Sequence, residues 1–128
     1  MRNIVRGMVA LVGAFNILLG LAFLLDPAQA GLAFFLVSLG TQGLATMRAD
    51  FTAFFVTGGS FALVAAWRAR RTPLLVPLAL LGIAIAGRAV SMFADGAPSR
   101  AFTPIIVEAV MITILALGWR MFATEPRW

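Results

Sequence analysis

The chain has 128 residues, enough for one small domain, and 62% of them are apolar whereas only 12% are charged. Soluble proteins carry about 25% charged residues, and a soluble domain of this size has too little interior to bury so many apolar side chains. These proportions exclude a water-soluble globular protein and predict a membrane protein. The net charge of +5 comes from an excess of arginine, whose placement indicates membrane topology rather than binding of nucleic acid.

The residue types that are missing exclude much chemistry. The sequence contains no histidine, cysteine, lysine or tyrosine. It therefore offers no thiolate metal site, no lysine Schiff base and no histidine general base. We expect no metal and no cofactor, and the remaining side chains favour a non-catalytic protein over an enzyme.

Four stretches are long and apolar enough to cross a membrane. We predict membrane-spanning helices at about residues 4–25, 44–68, 73–95 and 103–122, in one transmembrane domain comprising residues 1–128. At 1.5 Å per residue, each matches a hydrocarbon core of about 30 Å. The predicted fold is therefore all-α, an integral membrane four-helix bundle.

A shorter helix is predicted between the first and second spans. Asp26 can cap a helix that begins at Pro27, since proline is favoured at the first helical position. A helix over residues 27–39 reaches only about 20 Å, too short to span, so we expect it to be interfacial or re-entrant. The segment Gly40–Gly43 is expected to be irregular backbone that lies against protein or near water.

The arginines are distributed unequally between the two ends of the predicted bundle. One end would hold Arg2, Arg6, Arg68, Arg70, Arg71, Arg120 and Arg127, and the other Arg48 and Arg100. By the positive-inside rule, we expect both termini to be cytoplasmic. The absence of lysine beside ten arginines is typical of a GC-rich bacterial genome, so we expect the membrane to be a bacterial inner membrane. Residues 28–30 read Ala-Gln-Ala like a signal-peptide cleavage site, but the apolar stretch before them is longer than usual, which favours an uncleaved span.

Two charges lie within the predicted spans. Arg88 in the third span and Glu108 in the fourth both lie roughly 10 Å below the outer surface. A charge deep in a span costs about 2.5–3.5 kcal/mol on the insertion scale, and pairing lowers that cost. We therefore predict an Arg88–Glu108 ion pair between adjacent antiparallel helices. Ser91 and Asp95 share the helix face of Arg88.

Further polar residues are expected near the same outer end. Arg48 and Asp50 precede the second apolar run, Asn16 lies in the outer half of the first span, and Gln42 lies in the predicted break. The set predicts an outward-facing polar pocket, roofed by the helix over residues 27–39, for an anionic or amphiphilic ligand. The candidate ligand-binding residues are Asn16, Gln42, Arg48, Asp50, Arg88, Ser91, Asp95 and Glu108. The alternative is a structural ion-pair network that fixes helix register.

Two short motifs and one isolated acidic residue carry a resemblance to a known group. They are R-A-D-F at Arg48–Phe51, G-R-x-x-S-x-x-x-D-G at Gly87–Gly96, and Glu108. Over nearly its whole length the chain resembles small bacterial four-span membrane proteins of unknown function, which are similar to the DoxX-like group. The resemblance implies a four-helix membrane fold and a direction towards oxidoreductase or quinone-related membrane complexes.

Three functions fit these observations. The favoured one is a non-catalytic membrane protein, either an accessory or assembly subunit of a larger complex or a small homo-oligomer, with membrane lipids as further partners. The alternative is a small transporter or permeation pathway in which Arg88 and Glu108 face a water-filled cavity. A membrane enzyme that acts on a lipid or quinone, with Glu108 or Asp50 as general base, is favoured least. No nucleic-acid partner is expected.

Overall fold

The computed structural model describes residues 1–96 and 102–124, and every regular element in them is helical. The chain order comprises α1 Arg2–Leu25, α2 Pro27–Leu32, α3 Gly40–Thr46, a π-helical turn Met47–Phe51, α4 Thr52–Arg68, a 3₁₀ turn Thr72–Leu74, α5 Leu75–Asp95 and α6 Phe102–Met121. The all-helical prediction is confirmed for the described residues.

Four of these helices are long and apolar enough to cross a membrane. They are α1, the continuous helix Gly40–Arg68, the helix Thr72–Asp95 and α6, with 24, 29, 24 and 20 residues. Twenty helical residues cover about 30 Å, the thickness of a hydrocarbon core. The predicted number of long apolar helices is confirmed.

The four long helices form a ring in which α1 packs against α4 and α6, and α5 packs against the same two helices. Among the described residues, the buried core of the arginine-rich end is apolar, and Val9, Ala62, Leu74 and Leu115 are completely buried there. Small residues let α1 and α4 approach most closely. A Cβ atom at Gly59 would lie 2.6 Å from the backbone oxygen of Gly13, and one at Gly13 would lie 2.8 Å from that of Gly59.

The short helix after Asp26 begins where predicted but ends earlier. The Asp26 carboxylate accepts a hydrogen bond from the backbone N–H of Gln29 at 3.1 Å, as expected of a capping residue. The helix predicted over residues 27–39, however, ends at Leu32. The backbone N–H of Leu36 donates to the carbonyl of Gly31, and that of Phe35 to Leu32. This pair of hydrogen bonds is a Schellman motif, which terminates a helix.

The irregular backbone also lies elsewhere than predicted. It occupies residues 33–39, and α3 begins at Gly40, within the segment Gly40–Gly43 that was expected to be the break. Two left-handed residues bracket the connection, Phe35 with φ of 59° and Gly40 with φ of 63°. The chain therefore turns twice before α3, and the second long helix begins at residue 40 rather than near residue 44.

The arginine-rich end is closed by a contact between two chain segments. After α4 the chain turns at Ala69, and the N–H of Arg71 then donates to the carbonyl of Ala123 while the N–H of Ala123 donates to Ala69. The guanidinium of Arg71 lies 4.8 Å from the centre of the Trp119 ring, within cation–π range. The segment after α6 is thereby fixed beneath the α4–α5 turn.

Candidate functional site

The ion pair predicted from the sequence is present. The Nε of Arg88 on α5 donates to both carboxylate oxygens of Glu108 on α6, at 3.0 Å each. The Glu108 side chain is only 11% exposed and that of Arg88 is 34% exposed. Among the described residues, no acceptor is hydrogen-bonded to either Nη atom of Arg88. The guanidinium therefore keeps donors for a further group.

Two adjoining cavities meet at this ion pair. The larger cavity, of about 500 Å³, lies among α1, α4, α5 and α6 and the segment after α2, and it is almost entirely apolar. The smaller cavity, of about 300 Å³, contains Asp50 and Arg88 in its wall. Glu108 lines both cavities, together with Phe34, Phe54 and Phe55. A long apolar space thus adjoins a small charged one, with Glu108 at the boundary.

A cluster of phenylalanines supports the wall that the two cavities share, to which Phe34, Phe54 and Phe55 contribute. Phe23 is completely buried at its centre and stacks on Phe51 and Phe55, with ring centres 4.8 Å and 5.8 Å apart. Phe34 packs against Phe23 at 5.5 Å and against Phe55 at 5.6 Å. Aromatic pairs at these separations contribute roughly 0.5–1.5 kcal/mol each beyond their burial. The cluster anchors the segment after α2 to the bundle.

The π-helical turn Met47–Phe51 positions the N-terminal part of the second long helix, Gly40–Arg68, against α1. The Nε of Arg48 donates to the carbonyl of Leu24 at 2.9 Å, and the hydroxyl of Thr52 donates to the carbonyl of Gly20 at 3.1 Å. Both acceptors lie in the last turns of α1, where helical carbonyls lose their own partners or tilt outward. A π-helical turn inserts an extra residue and changes which side chains face inward. Here Asp50 borders the smaller cavity.

Three of the eight candidate residues come together at the cavities. Asp50, Arg88 and Glu108 line the smaller one. The other five lie outside the walls of both cavities: Arg48 binds α1, Gln42, Ser91 and Asp95 are exposed, and Asn16 is buried in α1. The Asn16 amide donates to the Val12 carbonyl at 2.8 Å and to the Met111 sulfur at 3.4 Å. Met111 lies about one helical turn after Glu108 on α6.

None of the phenylalanines that line the cavities was among the candidate residues selected from the sequence. The adjacent pairs Phe34–Phe35 and Phe54–Phe55 both contribute to the larger cavity. Phenylalanine is common in apolar sequences, so these pairs give no distinct signal in a chain with eleven of them. Only their convergence from separate segments distinguishes them.

Phe35 provides a test of the turn that closes this site. We expect Phe35→Gly to be more stable than Phe35→Ala by roughly 1 kcal/mol, because a left-handed conformation is costly for a residue with a Cβ and nearly free for glycine. Both variants remove the Phe35 ring from the wall of the larger cavity, so the lost packing cancels in the comparison. The matched control is the same pair of substitutions at Phe61 inside α4, where we expect glycine to be less stable than alanine by about 1 kcal/mol. If glycine is the less stable variant at both positions, measured by unfolding in mixed micelles, the left-handed turn is contradicted.

No protein-family model matches the sequence, and no curated protein or solved structure is significantly similar to the chain. The DoxX-like resemblance stays a prediction.

Proposed function

We propose that the chain is a multi-pass protein of the bacterial inner membrane, with both termini cytoplasmic, and that it binds an amphiphilic small molecule at its outward end without transforming it. The observation that carries the proposal is the Arg88–Glu108 ion pair at the junction of a phenylalanine-lined cavity and a smaller charged one.

The outward faces of the helices support insertion into lipid. Large apolar side chains on them are mostly exposed, among them Leu11 and Leu18 of α1 and Ile83 and Phe93 of α5. So many exposed large apolar side chains are unfavourable in water. Among the arginines in the part of the chain that the structure describes, all except Arg48 and Arg88 lie at the end of the bundle opposite the ion pair. By the positive-inside rule, such an arginine-rich end is the cytoplasmic one.

The cavity walls favour a particular ligand chemistry. The larger space fits an acyl chain or a flat apolar body, in the size range of small-molecule sites. The smaller space has one cation, Arg88, and two acids, Asp50 and Glu108. An anionic head group would face two carboxylates, so we favour an uncharged or zwitterionic head whose oxygens accept hydrogen bonds from the Arg88 guanidinium.

A permeation pathway is less well supported. Between the ion pair and the arginine-rich end, Val9, Ala62, Leu74 and Leu115 are completely buried. A molecule crossing the bundle would have to separate these residues. Binding at one end requires no such movement, which favours a binding or accessory protein.

The first experiment is native mass spectrometry of the protein purified in mild detergent from bacterial membranes. We expect the chain to retain a small bound molecule. In a delipidated sample, three probes with one oleyl chain and different head groups then test the chemistry: monooleoylglycerol, oleate and oleylamine. We expect retention of monooleoylglycerol to exceed that of oleate.

Two alanines of α5 provide matched variants for this experiment. Ala84 lines the smaller cavity, whereas Ala86 is exposed and lies outside both cavities. We expect Ala84→Leu to abolish binding of monooleoylglycerol and Ala86→Leu to leave it unchanged. Equal binding by both variants would place the ligand elsewhere. Co-purifying subunits at fixed stoichiometry, with both cavities empty, would assign the chain to complex assembly instead.

A further inference from the structure

A third recess lies at the other end of the bundle. It is a groove of about 540 Å³ between the first turns of α1 and the last turns of α4. Gly7 and Ala10 of α1 and Leu63 and Val64 of α4 form its apolar floor, and Trp67 stands at its mouth. A Cβ atom at Gly7 would meet nothing within 4 Å, so the groove is open at this position.

The mouth of the groove is basic. Arg6 lines it and is held in place, because its Nε donates to the carbonyl of Ala66 at 2.9 Å and its Nη2 to that of Trp67 at 3.0 Å. Arg2 and Arg68 flank the lining residues in sequence, and both are exposed. Among the described residues, every acidic side chain lies towards the opposite end of the bundle. The local charge is therefore positive and uncompensated by acids of the described chain.

An apolar channel with a basic mouth at a membrane surface has the chemistry of a lipid site. Basic pockets between helices on the cytoplasmic side bind anionic head groups, and each arginine near the surface contributes about fivefold in affinity. We propose that the groove binds one anionic phospholipid, with its phosphate towards Arg2, Arg6 and Arg68 and one acyl chain along Gly7 and Leu63. The proposal rests on the membrane insertion proposed above but not on amphiphile binding at the Arg88–Glu108 pair.

Trp67 is a built-in probe of this groove, since it lines the mouth and is 79% exposed. The variants Trp119→Phe and Trp128→Phe together leave Trp67 as the single tryptophan. The full-length protein is reconstituted in phosphatidylcholine nanodiscs with a small fraction of lipid whose acyl chains are brominated, since bromine quenches tryptophan fluorescence on contact. Brominated phosphatidylglycerol and brominated phosphatidylcholine are compared at equal mole fraction. We expect phosphatidylglycerol to quench Trp67 several-fold more effectively.

Two glycine variants test whether the groove itself holds the lipid. Gly7→Leu fills the groove, and Gly82→Leu adds the same side chain to α5 where a Cβ also meets nothing within 4 Å. We expect Gly7→Leu to remove the excess quenching by phosphatidylglycerol and Gly82→Leu to retain it. Arg68→Gln leaves the groove open and is expected to lower the preference for phosphatidylglycerol about fivefold.

Equal quenching by the two brominated lipids in the otherwise unaltered protein would overturn the proposal, and so would an unchanged excess in both Gly7→Leu and Arg68→Gln. Trp67 lies at the opposite end of the bundle from Glu108. Failure of amphiphile binding at the two cavities beside the Arg88–Glu108 pair therefore leaves the quenching of Trp67 unchanged. Each proposal can therefore fail without the other.

Discussion

Replacing Arg88 by methionine is expected to destabilise the protein by about 3 kcal/mol, because it leaves the buried Glu108 carboxylate without its partner. Glu108→Leu is expected to cost less, about 2 kcal/mol, since a third of the Arg88 side chain is exposed and the freed guanidinium can turn outward. The free energy of unfolding is measured by titrating sodium dodecyl sulfate into dodecyl maltoside micelles, with helicity followed by circular dichroism.

The double variant separates stability from binding. Arg88→Met with Glu108→Leu removes both charges and is expected to lie within about 1 kcal/mol of the unaltered protein, because apolar replacement of a whole buried pair is often neutral. Its monooleoylglycerol binding is nevertheless expected to be lost. A double variant that is stable and still binds would show that the pair only fixes helix register. Additive losses of stability would show that the two side chains do not interact.

Replacing Gly59 by leucine is expected to destabilise the protein by about 3 kcal/mol or to prevent folding. The new Cβ would lie 2.6 Å from the Gly13 carbonyl oxygen and 2.9 Å from the Ile17 backbone nitrogen. Backbone atoms cannot rotate away as a side chain can, so α1 and α4 must separate, and overpacking of this kind typically costs 1–3 kcal/mol or more.

Gly82→Leu is the matched control for this change. It makes the same substitution in α5 at a position where a Cβ meets nothing within 4 Å. We expect it to be neutral or to stabilise by about 0.5–1 kcal/mol, because glycine is a poor helix former. If Gly59→Leu and Gly82→Leu unfold at the same detergent composition, the close approach of α1 and α4 is incorrect.

The parts of the fold that follow from composition were predictable. Apolar runs of about 20 residues with at most one internal charge predict long apolar helices whatever their packing, and the described residues form four. The pairing of Arg88 with Glu108 was also predictable, because two isolated opposite charges at similar depth in consecutive antiparallel helices have few other partners. These inferences need only helix length and charge, which the sequence states directly.

The connection between α1 and α4 was predicted less well, for local reasons. A Schellman motif usually signals itself by glycine at its left-handed position, but here Phe35 occupies that position and gives no signal. The nearby Gly40 is left-handed as well, yet it begins α3 instead of breaking a helix. The π-helical turn at Met47–Phe51 has no sequence signature, because it depends on how α3 and α4 meet α1.

The aromatic cavity was not predictable, because it depends on packing between distant segments. Phe15, Phe34 and Phe55 come from α1, the segment after α2, and α4. Hydrophobic periodicity identifies none of them as special, since apolar residues cover most faces of these helices. The candidate polar residues were chosen by type, and only those that also face the phenylalanines border the cavities.

The backbone contact between residues 69–71 and Ala123 bears on the exchange of any bound molecule. It ties the chain after α6 beneath the α4–α5 turn, below a core whose central side chains are completely buried. In the proposed orientation, the cavities at the ion pair are therefore separated from the cytoplasmic leaflet by two successive layers. We therefore expect any occupant to exchange with the outer leaflet alone, so that occupancy follows the composition of that leaflet and stays constant when only the inner leaflet is altered.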